Sequence, residues 1–304
     1  MEWTTDVAII GAGPAGMTAG LYCARAGVTA VIFEGELIGG QASTTDSLEN
    51  YPGFPHGIGG PDLMMKFDEQ VRSLGVTVKN QAVRTVDLKN RTVSTRRDVY
   101  KASAIIIASG AARKKLGVVG EDQLVGRGVS YCATCDGALY KGKSVCVIGG
   151  GNTAVEDAIY LANVCQHVTL IHRRNAFRAQ AHLVDRLKRI KNVSLSLDSV
   201  VNAIEPTEVG VLLSITNVKT DQSSAIDCAG CFVAIGTSPN TDLFTGEIAL
   251  DDGGYIVAGE DTHTALPGIY IAGDIRSKPL RQVVTAVSDG AVAATEAVKF
   301  IHNL

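Results

Sequence analysis

The chain has 304 residues, a net charge of −3, 46% hydrophobic residues and 19% charged ones. That length and apolar share suit two globular domains with buried cores and exclude a disordered chain. The near-neutral balance gives no electrostatic case for a nucleic-acid partner or an anionic membrane surface.

Met1 to Asp6 leads straight toward a strand, without the basic and apolar stretches of a secretory leader, and no apolar run approaches bilayer length. The expected compartment is therefore cytoplasmic. The seven cysteines (23, 132, 135, 146, 165, 228 and 231) then read as free or catalytic thiols, not as a structural disulfide framework.

The first predicted elements are a strand over Val7 to Ile10, a glycine turn, a helix, and a second strand over Ala30 to Phe33 closing on Glu34. Short, fully apolar runs of this kind suit buried parallel strands. In the turn, Gly11 makes the bend, Gly13 lets the backbone approach a pyrophosphate, and Gly16 lets the helix pack on the strand. Ala15 lies between them, and Pro14 suits a first helical turn. Glu34 stands where a carboxylate accepts hydrogen bonds from an adenosine ribose, which suits FAD or NAD; a surface carboxylate is the plain alternative. The charged run Lys89 to Arg97 reads as a solvated hairpin. Ala104 to Gly110 reads as an apolar strand ending in a glycine, with the first domain pausing near Ala111.

Next come Cys132, Ala133, Thr134, Cys135 and Asp136, followed by the loop Gly149, Gly150, Gly151, Asn152, Thr153, Ala154. A Cys-x-x-Cys pair can cycle between dithiol and disulfide, and a glycine loop at a helix N-terminus holds a pyrophosphate. The two together point to a flavin-linked disulfide reductase. The loop also belongs to an internal repeat: Gly11, Gly13, Gly16 and Glu34 recur 138 positions on as Gly149, Gly151, Ala154 and His172. One G-x-G-x-x-G is weak, but two in register predict two βαβ dinucleotide folds. The second copy ends in His172, Arg173 and Arg174, with Arg178 close behind. Replacing a carboxylate by cations favours a 2′-phosphate, so the first site reads as FAD and the second as NADPH. An ordinary exposed charge run is the alternative.

Cys231 to Gly236 repeats the strand-to-glycine pattern of Ala104 to Gly110. A last buried strand, Ile269 to Ala272, ends in Gly273 and Asp274, and an apolar helix spans Val283 to Ile301. This tail has no counterpart in the middle of the chain, so it is assigned to the first domain. The expected fold is α/β, with two nested Rossmann-like domains, the second inserted into the first: residues 1–115 and 244–304 for FAD, and 116–243 for NADPH and the redox pair. Two crossings of this kind can act as a hinge.

Other groups carry less. Cys228 and Cys231 start a strand running to Ile235, where their odd spacing would turn them to opposite faces as inert buried thiols. Cys23, Cys146 and Cys165 read as core or near-core. Glu156 and Asp157 read as a solvated or interface face of the second helix. The six histidines show no ligand spacing, and no metal is expected.

Across nearly its whole length the chain resembles the bacterial-type low-molecular-weight thioredoxin reductases. The resemblance rests on the first loop; on Gly39, Gly40 and Gln41; on Glu49 to Gly53; and on C-A-T-C-D-G from Cys132. It continues through G-G-G-N-T-A from Gly149, the H-R-R-x-x-x-R cluster, and Gly273, Asp274, Arg281 and Gln282. It implies that Cys135 lies against the isoalloxazine and accepts its electrons, that Cys132 attacks the disulfide of thioredoxin, and that Asp136 moves the protons. It implies FAD contacts from Gly40, Gln41, Asn50, Gly110, Gly273 and Asp274. The helix starting near Arg281, Gln282 and Val283 would aim its positive end at the flavin pyrimidine. Asn152 and Thr153 join Gly149, Gly151 and the basic cluster at NADPH. A homodimer is implied as well. One inserted domain carries both the nicotinamide and the disulfide, so rotation about the two connections is expected to present them in turn.

Relatives on the same scaffold remain as alternatives. A ferredoxin-driven flavin thioredoxin reductase would lack intact NADPH motifs. A dithiol oxidase would pass electrons to oxygen. A hydroperoxide-reductase flavoprotein would usually carry an extra N-terminal redox domain, and a ferredoxin–NADP reductase relative would lack the cysteine pair. From a different class, a non-catalytic dinucleotide sensor would have no use for Cys132 and Cys135 beside Asp136.

Overall fold

The computed structural model describes residues 1–35, 37–45 and 48–303. β1 (Glu2–Ile10) runs into the first glycine turn, and α1 (Pro14–Arg25) starts with Pro14, whose missing N–H costs nothing in a first turn. β2 (Ala30–Glu34) lies parallel to β1, with Val7 beside Ala30 and Ile10 beside Phe33. α2 (Gly60–Ser73) returns the chain to β3 (Thr77–Asn80), parallel to β2. β4 (Val83–Asp87), β5 (Thr92–Thr95) and β6 (Val99–Ile107) form an antiparallel meander, and β6 comes back alongside β1 in parallel. The charged 89–97 segment is therefore the turn and second strand of a hairpin, with only Val93 fully buried on that strand.

β7 (Ala111–Arg113) leads out of this unit. β8 (Val129–Ser130), α3 (Ala133–Asp136), β9 (Ser144–Ile148), α4 (Asn152–Ala162), β10 (His167–Ile171), α5 (Ala181–Lys188) and β11 (Val193–Ser196) follow. β12 (Ser199–Pro206), β13 (Val211–Asn217) and β14 (Ser223–Cys228) form an antiparallel three-stranded sheet, and β15 (Gly230–Val233) rejoins β9. β16 (Thr237–Pro239) pairs with β7, so the outgoing and returning segments form a short ribbon. β17 (Ile269–Ile271) and α6 (Val283–His302) complete the chain.

Two compact units result: Met1–Ala112 with Ser238–Leu304, and Arg113–Thr237. The crossings fall within β7 and β16, a few residues before the expected 115/116 and 243/244. Each crossing strand is three residues long and follows a positive-φ glycine, Gly110 or Gly236.

In the first unit the parallel order is β3-β2-β1-β6, with β17 on the far side of β6. Alternate residues of β1 serve opposite cores. Val7 and Ile9 join Met17, Cys23, Ile32, Ala293 and Ala297, while Ala8 and Ile10 join Phe33, Ile105, Ile107 and Ile271. Burial on both faces is what makes such strands continuously apolar, and each fully buried Ile or Met contributes about 2 kcal/mol.

The second unit repeats the arrangement as β11-β10-β9-β15-β8, all parallel. Val145 and Val147 face the helices with Ala154, Ala158 and Leu170; Cys146 and Ile148 face the β12–β14 layer with Leu213 and Ile215. Cys228 ends β14, whereas Cys231 belongs to β15 in a different sheet, so the expected single strand is not formed. Both thiols are buried in one core with Cys146, because the chain changes sheets at Ala229.

Candidate active site

Cys132 and Cys135 form a disulfide with Cα atoms 5.3 Å apart at the start of α3. β8 ends at Ser130, Cys132 has extended backbone, and the short helix then turns Ala133 and Cys135 inward. Cys135 is buried, Cys132 is half-buried and Thr134 is exposed, which makes Cys132 the more exposed residue of the pair. Gly137 seats this turn on α4, because any Cβ there would lie 2.9 Å from Tyr160.

Ser130 belongs to the candidate site by its contacts, and sequence reasoning missed it. Its hydroxyl donates to Asp136 Oδ2 at 2.6 Å and accepts from the Cys132 amide at 3.1 Å. A hydroxyl has one proton, and the short bond to the carboxylate uses it. Asp136 and the backbone of Cys132 are thereby held by one side chain. Beside them, Tyr131 donates to Glu121 Oε1 at 2.7 Å, and buried Glu121 also accepts from the amides of Leu116 and Gly117. Burial, then Glu121, pushes the Tyr131 hydroxyl well above its usual range. Arg113 lies over the Tyr131 ring, 5.6 Å from its centroid.

In the same unit, the second glycine loop closes on the arm that follows β10. The Arg178 amide donates to the Gly150 carbonyl at 2.8 Å, and the Gln180 amide donates to Asn152 Oδ1 at 2.9 Å. Arg173, Arg174, Arg178 and Thr153 are exposed. His172 departs from the expected cluster of cations: it is buried beneath the loop, and burial followed by the three arginines holds its pKa below the usual value. The period of two along β10 carries it to the same face as Val168 and Leu170. Asp157 departs as well. Glu156 beside it is exposed, but burial pushes the Asp157 carboxyl up to about 7.

The first glycine loop is built by close approach. Gly11 has φ +110°, and a Cβ there would lie 2.3 Å from the Ala108 carbonyl oxygen; a Cβ at Gly16 would lie 1.9 Å from the Gly11 oxygen. Glu34 Oε2 accepts from the Ala12 amide at 3.0 Å, which sets the carboxylate beside the loop. Gly39 donates to the Ala12 carbonyl at 2.9 Å, and the turn Gly40–Thr44 brings Gly40 over Gly13 with exposed Gln41 next to it. Pro14 and Ala15 open α1, and a Cβ on Gly273 would lie 2.9 Å from that of Ala15. Gly110 accepts from the Asn240 amide at 3.0 Å. Asn50 donates to Gln282 Oε1 at 3.0 Å, and Gln282 caps α6 in front of Val283. Arg281 lies over the Tyr255 ring at 3.8 Å and donates to the Asp274 carbonyl.

Behind Gly273 stands a buried ionic network that sequence reasoning also missed. Asp289 accepts from the Gly273 amide at 3.0 Å, from Arg276 Nη2 at 3.0 Å and from Lys278 Nζ at 3.0 Å. The side chains of Arg276, Lys278 and Asp289 are 5%, 3% and 8% exposed, so one carboxylate answers two cations away from water, with Asp274 as the second anion. Asp274 Oδ1 is buried with no hydrogen bond among the described residues, 3.6 Å from Lys278 Nζ, and burial raises its pKa against the pull of Lys278 and Arg281.

These surroundings fit the expected cofactors. Among the described residues, the nearest atom to a Cβ at Gly13 would be 4.0 Å away and nothing lies within 4 Å of one at Gly151, so both loops leave open the space that a phosphate needs. The buried, unbonded Asp274 oxygen suits a hydroxyl-rich ribityl chain. The predicted residues thus fall into a first-unit set around Gly11–Gly16 and Gly273, a second-unit set around Gly149–Thr153, and the disulfide with Asp136.

The family model described as pyridine nucleotide-disulphide oxidoreductase matches residues 5–290. A thioredoxin reductase from Rickettsia conorii is 43% identical over 312 aligned positions, covering all of both chains. One from Mycolicibacterium smegmatis is 41% identical over 301 positions, covering 97% of this chain and 96% of that protein. The crystal structure of thioredoxin reductase from Streptococcus pyogenes MGAS5005 matches with a TM-score of 0.93 at 40% identity, covering 99% of each chain.

Proposed function

Because the chain belongs to the pyridine nucleotide-disulphide oxidoreductase family, we propose that it is an NADPH-dependent thioredoxin reductase, passing electrons through FAD and the Cys132–Cys135 pair to the disulfide of thioredoxin. The observation that carries this reading is the disulfide itself: a half-buried cysteine, a buried one, and a carboxylate tethered through Ser130, in the unit that holds the second glycine loop.

FAD, when bound, supplies a two-electron store between nicotinamide and disulfide. Gly11 to Gly16, Glu34, Gly40, Gln41, Asn50, Gly110, Gly273, Asp274, Arg281, Gln282 and Val283 hold it in the first unit. Gly149, Gly151, Asn152 and Thr153 take the NADPH pyrophosphate, and Arg173, Arg174 and Arg178 take its 2′-phosphate. Two electrons and two protons open the Cys132–Cys135 bond to a dithiol. Cys132 then attacks one sulfur of the thioredoxin disulfide, breaking that bond and leaving a mixed disulfide. Cys135 attacks Cys132, which re-forms the internal disulfide and frees thioredoxin as its dithiol. Asp136, held by Ser130, takes the proton from the attacking thiol and returns it to the leaving sulfur.

The inserted unit carries both the nicotinamide loop and the disulfide, and the ribbon of β7 and β16 joins it to the flavin unit. It rotates about that ribbon to present each in turn. An engineered crosslink between the units should abolish turnover; full activity in the locked protein excludes rotation. The enzyme works as a homodimer, which light scattering on the purified protein tests.

The deciding experiment is an anaerobic titration of wild type and Cys135→Ser with NADPH, then NADH, then thioredoxin. NADPH should bleach the flavin in both proteins, and the wild type alone should pass electrons to thioredoxin. Reduction by ferredoxin but by neither nicotinamide would overturn the proposal.

A further inference from the structure

His172 follows β10 with its backbone fixed on both sides: its amide donates to the Ser196 carbonyl at 2.8 Å, and its carbonyl accepts from the Ser199 amide at 2.9 Å. Its ring forms the floor of the second glycine loop, since a Cβ on Gly150 would lie 2.1 Å from Cε1 and 2.2 Å from Nδ1. Phe177 stacks on the ring with centroids 5.5 Å apart and planes 13° from parallel. Nε2 lies 3.2 Å from the Ala176 carbonyl oxygen. A carbonyl only accepts, so Nε2 carries the proton and donates. The Arg178 amide then returns the chain to the Gly150 carbonyl.

These contacts make a closed circuit, Gly150 to His172 to Ala176 and Phe177 to Arg178 and back to Gly150. The three exposed arginines ride on that circuit. The ring lies inside it, 5% exposed, beside Arg173, Arg174 and Arg178, where a second charge is disfavoured by burial and by those arginines.

We propose that His172 is a positioning residue that sets the preference for a 2′-phosphorylated nucleotide by holding the arginine-bearing arm against Gly150, and that it supplies no charge to the phosphate itself. This rests on the reading of the second loop as the NADPH site. The arginines supply the attraction, and a neutral hydrogen bond and a stacked ring supply their geometry. Arginine side chains are long and lose much rotamer freedom when they bind, so fixing their backbone contributes to selectivity and not only to stability.

The test is calorimetric binding of adenosine 2′,5′-bisphosphate and of 5′-AMP to the FAD-loaded protein, in wild type, His172→Phe, His172→Gln and the double variant Arg173→Gln/Arg174→Gln. Phe keeps the stack and loses the donor. Gln loses the stack but carries an amide N–H the same number of bonds from Cα. Wild type should prefer the bisphosphate, and the arginine double variant should lose most of that preference. His172→Phe should reduce the preference by about tenfold, the effect of one buried hydrogen bond, with 5′-AMP affinity held within about twofold. His172→Gln should recover it to within about threefold of wild type.

Three outcomes would overturn the proposal: an unchanged preference in His172→Phe, an equal loss of both nucleotides, or a His172→Gln variant as impaired as His172→Phe. A preference that survives in the arginine double variant would instead show that the 2′-phosphate does not bind here, and the NADPH reading would fail first.

Discussion

Asp289→Ala is expected to destabilise the first unit by about 3 kcal/mol and to weaken its hold on FAD. The carboxylate accepts from the Gly273 amide, Arg276 and Lys278, and its removal leaves two cations whose side chains are 5% and 3% exposed. Breaking a buried pair in this way costs about 3–5 kcal/mol. The low end applies because neighbours compensate in part. Arg276 retains the carbonyls of Ala258 and Gly259, and Lys278 retains Asp274 at 3.6 Å and the Thr285 hydroxyl at 3.4 Å. For a unit of this size the cost corresponds to a fall in Tm of roughly 6–12 °C. Thermal unfolding of the apo and FAD-loaded forms reads the stability, and quenching of FAD fluorescence reads the affinity. In a Lys278→Met background the same substitution should cost about 1–2 kcal/mol less, because one stranded charge is already gone. A cost below about 1 kcal/mol, with strictly additive behaviour in that cycle, would refute the account of a charge-balanced network.

Asp157→Asn should stabilise the second unit at pH 8 and leave it unchanged at pH 4. The folded carboxyl titrates at about 7 against an ordinary 3.8, so the folded state holds a proton that the unfolded state releases between those values. The resulting stability is present below the unfolded value and is lost as pH rises through the folded one. Its ceiling is about 4 kcal/mol, taken here as about 2 because the side chain is partly exposed; an equal gain at both pH values would contradict it. Gly16→Ala should lower flavin content and cost about 3 kcal/mol, since its Cβ would meet the backbone oxygen of Gly11 at 1.9 Å, and the ratio of flavin to protein absorbance measures the loss. Ser130→Ala should slow transfer to thioredoxin by about tenfold while leaving flavin reduction by NADPH unchanged, as separate stopped-flow traces would show.

The elements that a few neighbouring residues determine were legible in the sequence. The strand–glycine–helix–strand units at Val7 and Val145, their 138-residue offset, the Cys-x-x-Cys pair and the inserted order of the chain all appear as apolar runs and fixed spacings, because parallel strands buried on both faces admit little else. Side-chain direction and charge balance were not legible. His172 stands beside Arg173 in sequence, yet strand alternation turns its ring under Gly150 and burial disfavours its charge. Glu156 and Asp157 are neighbours, but Glu156 is exposed while Asp157 is half-buried. Cys228 and Cys231 read as one strand because nothing local marks the change of sheet at Ala229. Ser130, Glu121 and the Asp289 network escaped sequence reasoning for the same reason. The free energy of a buried polar group depends on the partners that the fold brings to it, and those partners lie anywhere from two to sixteen residues away with no periodicity to reveal them.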